Sequence, residues 1–291
     1  MANCIVCDGN SSRLRNFAKR GEESLDIFRC ADCNCEFLWP QPSNDWLKEE
    51  YAQYYTRRTD ETKGIKTPYF KKLLSSLGVD FSNKRVIEFG SGEGDCLLAL
   101  RELWNDVELT AVEGNNESEA LLKSIDCDFF NTDIENWIEQ NQDMSGEEQK
   151  FDYILMFDLI EHLRNPVDVI NKLAKNHLKK GGAMIATFPC AESTSHGILR
   201  RFWPQYKVEH LSYFTEKAVL NIEQRSGLSR KQLTRLTKSL PLKYLMKVGS
   251  NFGPKKTQKI TRFVERAIPS VILKQSCPIP LGESLWVAEN L

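Results

Sequence analysis

The sequence predicts an α/β protein built on a doubly wound, mostly parallel sheet of the Rossmann-like type. A short apolar strand, Val86 to Phe89, leads into a turn with glycine at alternate positions and then into an apolar helix. A second run, Phe151 to Phe157, is continuously apolar, as expected for a central strand buried on both faces. At 291 residues, with 41% hydrophobic and 27% charged residues, the chain is long enough for one large domain and an appendage.

The appendage comes first and carries paired cysteines. The pairs are Cys4 with Cys7 and Cys30 with Cys33, separated by 22 residues. This spacing brings four thiolates around a tetrahedral zinc ion, which with four protein ligands would be structural. Two alternatives stay open: Cys35 replaces Cys33, or the thiols are reduced and hold no metal. We expect a zinc-ribbon-like module over residues 1–42.

Residues 43–83 read as a helical linker. A proline-containing connector precedes the stretch Asp45 to Tyr55, which has the pattern of an amphipathic helix. Tyr51, Tyr54 and Tyr55 lie together on it. Such a cluster could cover a cofactor pocket as a lid, and packing of the helix against the core is the alternative.

The glycine turn consists of Gly90, Gly92 and Gly94, and a helix begins near Asp95, whose side chain we expect to cap it. Carboxylates surround this turn, and no lysine follows the glycines as it would in a phosphate-binding loop. Carboxylates would repel a pyrophosphate and attract a cation. The pattern therefore favours S-adenosylmethionine, which carries a sulfonium and an ammonium group and no phosphate.

Polar residues follow the later strands of the predicted sheet. Glu113 ends the second strand, 19 residues beyond Gly94, where doubly wound sheets place the acid that binds the ribose hydroxyls. Asp133 ends a third strand that begins at Cys127, where an adenine amino group could bind. The apolar strand to Phe157 is followed by Asp158, Glu161 and His162 at the edge that lines the ligand crevice.

The next segments complete the domain. The sequence predicts a helix from Val167 to Leu178, a strand from Ala183 to Phe188, a long irregular segment from Cys190 to His210, and a helix from Thr215 to Ser226. Long irregular segments in compact domains are usually functional. We therefore expect the segment from Cys190 to His210 to lie on the substrate side.

On these motifs, residues 84–230 resemble the class I S-adenosylmethionine-dependent methyltransferases, whose sheet has seven strands. The matching stretches are Glu-Phe-Gly-Ser-Gly-Glu-Gly, Phe-Asp-Tyr-Ile, Asp-Leu-Ile-Glu-His-Leu and Lys-Lys-Gly-Gly. The four-cysteine module, followed by Trp-Pro-Gln-Pro and a tyrosine-rich helix, is similar to a bacterial branch with an N-terminal zinc-binding domain. That branch includes deoxysugar C-methyltransferases and enzymes encoded with surface-polysaccharide genes.

The resemblance implies roles for particular residues. The three glycines would lie against the methionine part of the cofactor, with Glu88 near its ammonium group. Glu113 would hold the ribose. Asp133 with Ile134 would hold the adenine, and Phe157 with Asp158 would line the methyl-transfer side.

Methyl transfer is an in-line displacement, so the enzyme aligns the nucleophile and, for a hydroxyl acceptor, removes a proton. His162 and His210 are the candidate catalytic bases. The alternative for His162 is a packing role beside the cofactor. A further alternative is a divalent cation held by Asp158, Glu161, His162 and His210, by similarity to metal-dependent ubiquinone and small-RNA methyltransferases.

The C-terminal part is predicted as an antiparallel hairpin, Arg230 to Leu236 with Glu283 to Glu289, interrupted by a basic helical insertion at about 237–280. Residues 230–275 contain 12 basic residues and one acid, whereas residues 100–150 contain 14 acids and 3 basic residues. A basic, amphipathic insertion suits a lipid-linked or phosphate-bearing acceptor, or peripheral contact with an anionic membrane.

Together these observations predict a methyltransferase domain over residues 84–291 that acts on a hydroxyl or amine of a sugar, a polysaccharide or a related small metabolite. The alternatives are an RNA methyltransferase and a non-catalytic scaffold with the same fold. A sequence pI of about 6.5 and the lack of an aromatic and basic RNA motif argue against RNA. The first residues enter the cysteine motif directly, without a secretory leader, so we expect a cytoplasmic protein.

Overall fold

The structure is a computed structural model that describes residues 2–56, 66–142, 146–242, 246, 268–269 and 275–291. The strands are β1 (Ala2–Asn3), β2 (Asn10–Arg20), β3 (Glu23–Cys30), β4 (Glu36–Trp39), β5 (Arg85–Phe89), β6 (Glu108–Val112), β7 (Cys127–Phe130), β8 (Phe151–Phe157), β9 (Leu178–Pro189), β10 (Ser212–Tyr213), β11 (Leu228–Pro241) and β12 (Ser276–Asn290). The α-helices are α1 (Asn44–Thr56), α2 (Thr67–Ser76), α3 (Asp95–Leu103), α4 (Glu119–Ser124), α5 (Ile134–Gln140), α6 (Pro166–Asn176), α7 (Thr194–Leu199) and α8 (Glu216–Ser226).

The larger sheet confirms the predicted fold class. Its seven strands are ordered β11-β12-β9-β8-β5-β6-β7. The strands from β7 to β9 are parallel, and β12 pairs antiparallel with both β9 and β11. The chain enters this sheet at β5, continues outward through β6 to β7, and then returns to β8 on the other side of β5. The crevice above β5 and β8 is therefore the switch point at which such sheets bind ligands.

The central strands are buried because helices cover both faces of the sheet. Ile87 and Phe89 of β5 and Ile154 and Leu155 of β8 are fully buried. A strand covered on both sides has no polar face, which explains the continuous apolar runs in the sequence. Polar residues that follow these strands are consequently confined to the edge of the sheet.

A second sheet contains the cysteine module. Its order is β1-β2-β3-β4-β10, and β10 pairs antiparallel with β4, with Ser212 opposite Phe37. Buried residues of the module, among them Val6 and Phe37, belong to the same apolar cluster as Phe89 and Phe214. The module and the larger domain therefore share a core.

The C-terminal hairpin is longer than predicted. Pairing of β11 with β12 continues to Pro241 opposite Ser276, beyond the predicted strand ends at Leu236 and Glu283. Residues 276–280, which we assigned to the helical insertion, are strand, because the prolines in Cys-Pro-Ile-Pro disfavour a helix. The predicted basic helices themselves lie outside the described residues. Among the described helices, none has the length and apolar composition needed to cross a membrane.

Candidate active site

The glycine loop follows β5 with the backbone conformation that the sequence predicts. Gly90, Gly92 and Gly94 have φ angles of 71°, 54° and 80°, in the left-handed region that glycine adopts without steric cost. The Gly90 N–H donates to the carbonyl of Val112 at 2.8 Å, which ties the loop to β6. A Cβ at Gly94 would lie 3.1 Å from the Leu122 side chain, so this loop has little room for larger residues.

Helix α3 begins at Asp95, as expected, but the prediction that Asp95 caps it is wrong. Gly94 occupies the N-cap position. The Asp95 carboxylate accepts a hydrogen bond from Thr67 Oγ1 at 2.8 Å instead. The left-handed turn at Gly94 places Asp95 inside the first helical turn, where a side chain no longer has cap geometry. Asp95 thereby connects the glycine loop to α2.

Glu88 lies within β5, and only 2% of its surface is exposed. Burial raises the pKa of its carboxyl group well above the ordinary value, and the nearby carboxylates Asp95 and Glu113 raise the pKa further. A buried carboxyl group among other carboxylates is stabilised in its charged form by a cation. The donor set around the glycine loop therefore fits the ammonium group of S-adenosylmethionine.

Glu113 follows β6 directly and bridges two turns. Its carboxylate accepts the Gly92 N–H at 2.9 Å and the Asn115 N–H at 3.0 Å. The side chain is 8% exposed. Glu113 is therefore held at the edge of the sheet beside the glycine loop, in the position that the spacing predicts.

Asp133 lies three residues beyond the end of β7, which stops at Phe130 and is shorter than predicted. Its carboxylate caps α5 by accepting hydrogen bonds from the backbone N–H of Asn136 at 2.8 Å and from the Asn136 side-chain amide at 2.7 Å. The strand ends early because Asp133 starts a helix. Asp133 remains exposed at the carboxyl edge of the sheet, with Ile134 buried beside it.

Phe157 and Asp158 end β8. The Phe157 ring packs against Phe70 of α2, with centroids 5.2 Å apart. Asp158 adopts a left-handed φ of 53° and is exposed. Its carboxylate accepts a hydrogen bond from Thr187 Oγ1 at 2.8 Å. The turn at Asp158 directs the chain away from the sheet and into the histidine-bearing segment.

The two candidate catalytic histidines lie next to each other. The rings of His162 and His210 are nearly perpendicular, with centroids 4.8 Å apart. A backbone hydrogen bond holds the two histidine-bearing segments together, because the N–H of Leu211, next to His210, donates to the carbonyl of Glu161, next to His162, at 2.8 Å. Burial, together with the nearby charge of Lys207, lowers the pKa of His162 to about 4. His162 is therefore neutral near pH 7 and has a lone pair that can accept a proton.

The same cluster contains three of the four residues in the predicted cation site. Single ligand atoms of Glu161, His162 and His210 lie within 4.8 Å of one another. Asp158 lies outside this group. The geometry therefore admits a cation held by one carboxylate and two imidazoles.

The tyrosine-rich helix reaches this cluster. The Tyr51 hydroxyl lies 3.2 Å from His162 Nδ1, within hydrogen-bonding distance. The side chains of Tyr54 and Tyr55 lie outside the described residues. Tyr51 thus brings α1 to the histidines, a contact that fits both the lid interpretation and packing of the helix against the core.

The segment from Cys190 to His210 is more ordered than predicted. It contains α7 and a 3-10 turn over Arg200–Phe202. The Ser193 hydroxyl caps α7 by accepting the His196 N–H at 3.2 Å. The sequence did not reveal this helix because it has six residues, too few for a periodic pattern, and no acid in its first turn.

Sequence reasoning also missed a buried carboxylate, Glu36 of β4, which is fully inaccessible. It accepts hydrogen bonds from Tyr206 Oη and from Arg29 Nε, the latter at 3.1 Å. His196 Nε2 lies 2.8 Å from Tyr206 Oη and 3.5 Å from the Glu36 carboxylate. Burial alone would raise the pKa of Glu36, but these hydrogen bonds outweigh it and lower the pKa to about 2.

The cysteine cluster has the geometry of a metal site. Cys4, Cys7, Cys30 and Cys33 place their sulfur atoms within 4.8 Å of one another. The Cys4–Cys33 and Cys7–Cys30 sulfur distances are 3.6 and 3.4 Å, close to the edge of about 3.8 Å for a tetrahedron with Zn–S bonds of about 2.3 Å. Cys35 is outside this group, and its thiol contacts the carbonyl oxygens of Glu36 and Tyr213. The four thiols therefore fit zinc.

The sheet order, the left-handed glycine loop and the carboxylates at the strand ends together define a class I methyltransferase that uses S-adenosylmethionine. A family model described as a methyltransferase domain matches residues 62–232, more than half of the chain. The chain belongs to this family. A comparison with curated proteins finds no match.

Solved structures share the fold at low sequence identity. A protein from Bacillus halodurans C-125 described as a methyltransferase has a TM-score of 0.52 and 13% identity, over 76% of this chain and 98% of that chain. The plantazolicin methyltransferase BpumL, in complex with a desmethyl substrate analogue and SAH, has a TM-score of 0.51 and 15% identity, over 85% and 93%. A Haloferax volcanii methyltransferase in complex with the activator Trm112 has a TM-score of 0.51 and 13% identity, over 78% and 92%.

Proposed function

We propose that this methyltransferase transfers a methyl group to a hydroxyl or amine of a sugar, a polysaccharide or a related small metabolite in the cytoplasm. The observation that carries the proposal is the pairing of His162 with His210 beside the carboxyl end of β8. The acceptor class rests on the resemblance of residues 1–230 to methyltransferases with an N-terminal zinc-binding domain. A lipid- or phosphate-linked acceptor would suit the basic composition of residues 230–275.

The cofactor would be bound by residues at the carboxyl edge of the sheet. Gly90, Gly92 and Gly94 would contact its methionine part, because their backbone has no side chain to obstruct close approach. The remaining roles follow the resemblance: Glu88 at the ammonium group, Glu113 at the ribose, Asp133 and Ile134 at the adenine, and Phe157 and Asp158 at the methyl-transfer side. When bound, S-adenosylmethionine supplies an electrophilic methyl carbon on its sulfonium.

The histidines would handle the proton of the acceptor. His162 is neutral near pH 7 because its pKa is about 4. The Tyr51 hydroxyl lies within hydrogen-bonding distance of Nδ1 of His162, and the ring also bonds to the backbone of Glu209, so both contacts fix its orientation. A pKa of about 4 lies well below the operating pH, so His162 is a weak proton acceptor and the less favourable of the two candidate bases. His210, at right angles to His162, is the second candidate base.

The experiment uses the purified full chain and S-adenosylmethionine labelled in its methyl group, with nucleotide sugars, a surface-polysaccharide extract and total RNA as separate acceptors. We expect label in a sugar-containing acceptor. His210→Gln should lower kcat about 100-fold or more while leaving cofactor affinity within about twofold, because a positioned base contributes roughly 10²–10⁴ to rate. His177→Gln is the control, since His177 is buried away from the histidine pair against Trp137.

Two results would overturn the proposal. Labelling of RNA alone would favour the RNA alternative, and unchanged kcat in both His162→Gln and His210→Gln would exclude these histidines as bases. Treatment with a chelator distinguishes the divalent-cation alternative from catalysis by the histidines alone. We expect turnover to persist after EDTA treatment that leaves the cysteine-bound metal in place. Loss of turnover that Mg²⁺ restores would instead assign Glu161, His162 and His210 to a divalent cation.

A further inference from the structure

The end of α7 presents an unusual group of exposed apolar side chains. Ile198 is 72% exposed and Phe202 is 71% exposed, with Leu199 between them at 40%. Among the other large apolar side chains of the described residues, only the terminal Leu291 is as exposed, at 74%. Exposed apolar groups that cluster in this way usually mark a contact surface.

The exposure does not come from a loosely held segment, because the inner face of the same segment is well packed. Trp203, the residue after Phe202, is 2% exposed, and its indole N–H donates to Ser195 Oγ at 3.2 Å. Gln205 donates to Glu283 at 3.1 Å. His196 is held by Tyr206, which is itself bonded to the buried Glu36. The fold therefore holds Ile198 and Phe202 pointing outward.

The charges around these side chains are positive. Arg200 and Arg201 are exposed, and neither forms an ion pair with any carboxylate of the described residues. The Arg201 guanidinium lies 4.7 Å from the centre of the Phe202 ring. Arg15 of β2 borders the same shallow depression. Residues 193–206 contain no acid, so the surface is both apolar and cationic.

We propose that this surface, the arginine–phenylalanine patch (Arg15, Ile198, Leu199, Arg200, Arg201 and Phe202), docks the enzyme onto an anionic lipid bilayer. Arginine side chains attract anionic headgroups, and apolar side chains beside them enter the boundary between headgroups and acyl chains. The patch has three apolar side chains, whereas a stable protein–protein interface uses roughly 20–30 residues from each partner. Its size and charge therefore favour a bilayer over a protein.

Docking at this patch would bring the substrate-side segment to the membrane. Helix α7 also carries His196, and the chain continues through Trp203 and Tyr206 to His210. Tyr206 and Tyr213 pack with ring centroids 4.8 Å apart, and Tyr213 packs near His210. A row of packed rings thus runs from Trp203, which follows Phe202 in the chain, to the candidate base His210. Docking does not depend on the acceptor proposed above, because it is measured without any acceptor.

The test is flotation of the purified full chain with vesicles of phosphatidylcholine alone and of phosphatidylcholine mixed with phosphatidylglycerol. We expect the chain to float only with the mixed vesicles. Phe202→Ser should lower the partition coefficient about tenfold, since one apolar side chain no longer enters the bilayer. The matched control is Leu220→Ser, because Leu220 is 44% exposed on α8, outside the patch. Circular dichroism melting would verify that both variants are folded.

A charge reversal tests the electrostatic contribution of the patch to vesicle binding. Arg200→Glu with Arg201→Glu should abolish flotation with the mixed vesicles, whereas Lys72→Glu with Lys175→Glu, an equal charge change at exposed sites on other helices, should not. Three results would overturn the proposal: no flotation of the unaltered chain, flotation unaffected by either patch variant, or sedimentation showing that Phe202→Ser disrupts a dimer while vesicles are not bound. The second result would assign vesicle binding to another surface, and the third would assign the patch to a second copy of the chain.

Discussion

Glu113 is the side chain that connects the glycine loop to the next strand of the sheet. Its two oxygens accept backbone N–H groups from Gly92 of the glycine loop and from Asn115, which follows β6. A carboxylate held by two backbone donors keeps one orientation, so the proposed contact with a ribose would need little further ordering. The same contacts also make the loop conformation depend on the charge of Glu113.

Replacement of Glu113 by glutamine should therefore weaken cofactor binding. The amide has one acceptor oxygen and no charge, so one of the two loop contacts and the proposed ribose contacts are lost or weakened. Hydrogen bonds to charged groups contribute roughly 1.5–3 kcal/mol, so we expect the affinity for S-adenosylmethionine to fall about tenfold to 100-fold. Calorimetric titration measures this change. Asp106→Asn, at an exposed position before β6, should leave affinity unaltered, and equal affinities for all three proteins would remove Glu113 from the site.

The residues found from the sequence and those missed differ in how far apart their partners lie along the chain. Glu113 was predicted because its distance from Gly94 is set by one helix and one strand. Tyr51 contacts His162, 111 positions away, and Tyr206 contacts Glu36, 170 positions away. No local pattern encodes such pairs, because they depend on how whole elements pack. The contacts that these side chains make could therefore be found only from the structure.

The contact between β4 and the segment that carries α7 depends on one buried charge. Glu36 has no exposed surface and gathers hydrogen bonds from Arg29, Tyr206 and His196. Because its pKa is lowered from 4.5 to about 2, the folded state holds the carboxylate in its charged form more strongly than the unfolded state does. The difference corresponds to about 3 kcal/mol of stability at neutral pH.

The sign of this contribution sets its pH dependence. A carboxyl group with a lowered pKa stabilises the fold above its unfolded pKa, and the effect is lost as the pH falls from about 4.5 toward 2. We expect Glu36→Gln to be about 3 kcal/mol less stable than the unaltered chain at pH 6, and roughly half of this difference to remain at pH 3. Urea unfolding at pH 6 and at pH 3 measures this difference in the free energy of unfolding. Glu49→Gln, at an exposed ion pair, should change stability by less than about 1 kcal/mol, and a Glu36→Gln difference independent of pH would contradict the assigned protonation.

Strands and helices of the larger domain were predictable where burial imposes a pattern over several residues. The apolar run to Phe157 and the caps of α8, Thr215 and Gly227, are local signals of this kind. Strand β10 has two residues and exists because Ser212 and Tyr213 pair with β4. Its sequence has no strand pattern of its own, and neither has the six-residue α7. Elements that form only through tertiary contact were therefore missed.

The cysteine module is part of the core of the whole molecule. The carbonyl of Cys33 accepts a hydrogen bond from Thr215, the residue that caps α8. Arg225 of α8 pairs with Asp8 at 2.7 Å, between the two cysteine pairs. Through β10 and α8, the proposed zinc site supports the segment that presents His210. Loss of the metal should therefore affect the catalytic side as well as the module.

Removal of one zinc ligand tests this coupling. Cys30→Ser should abolish stoichiometric zinc, measured by atomic absorption, because a structural zinc site needs four ligands. Since metal binding contributes directly to folding, we expect the free energy of unfolding to fall by more than about 4 kcal/mol and Tm by about 10 °C or more. The loss should appear in calorimetry as one shifted transition, because module and domain share apolar contacts. Cys127→Ser is the control, since Cys127 is buried beside β6 and apart from the cluster, so zinc should stay bound. Two transitions, with the larger one unmoved in Cys30→Ser, would show instead that the module folds independently of the catalytic domain.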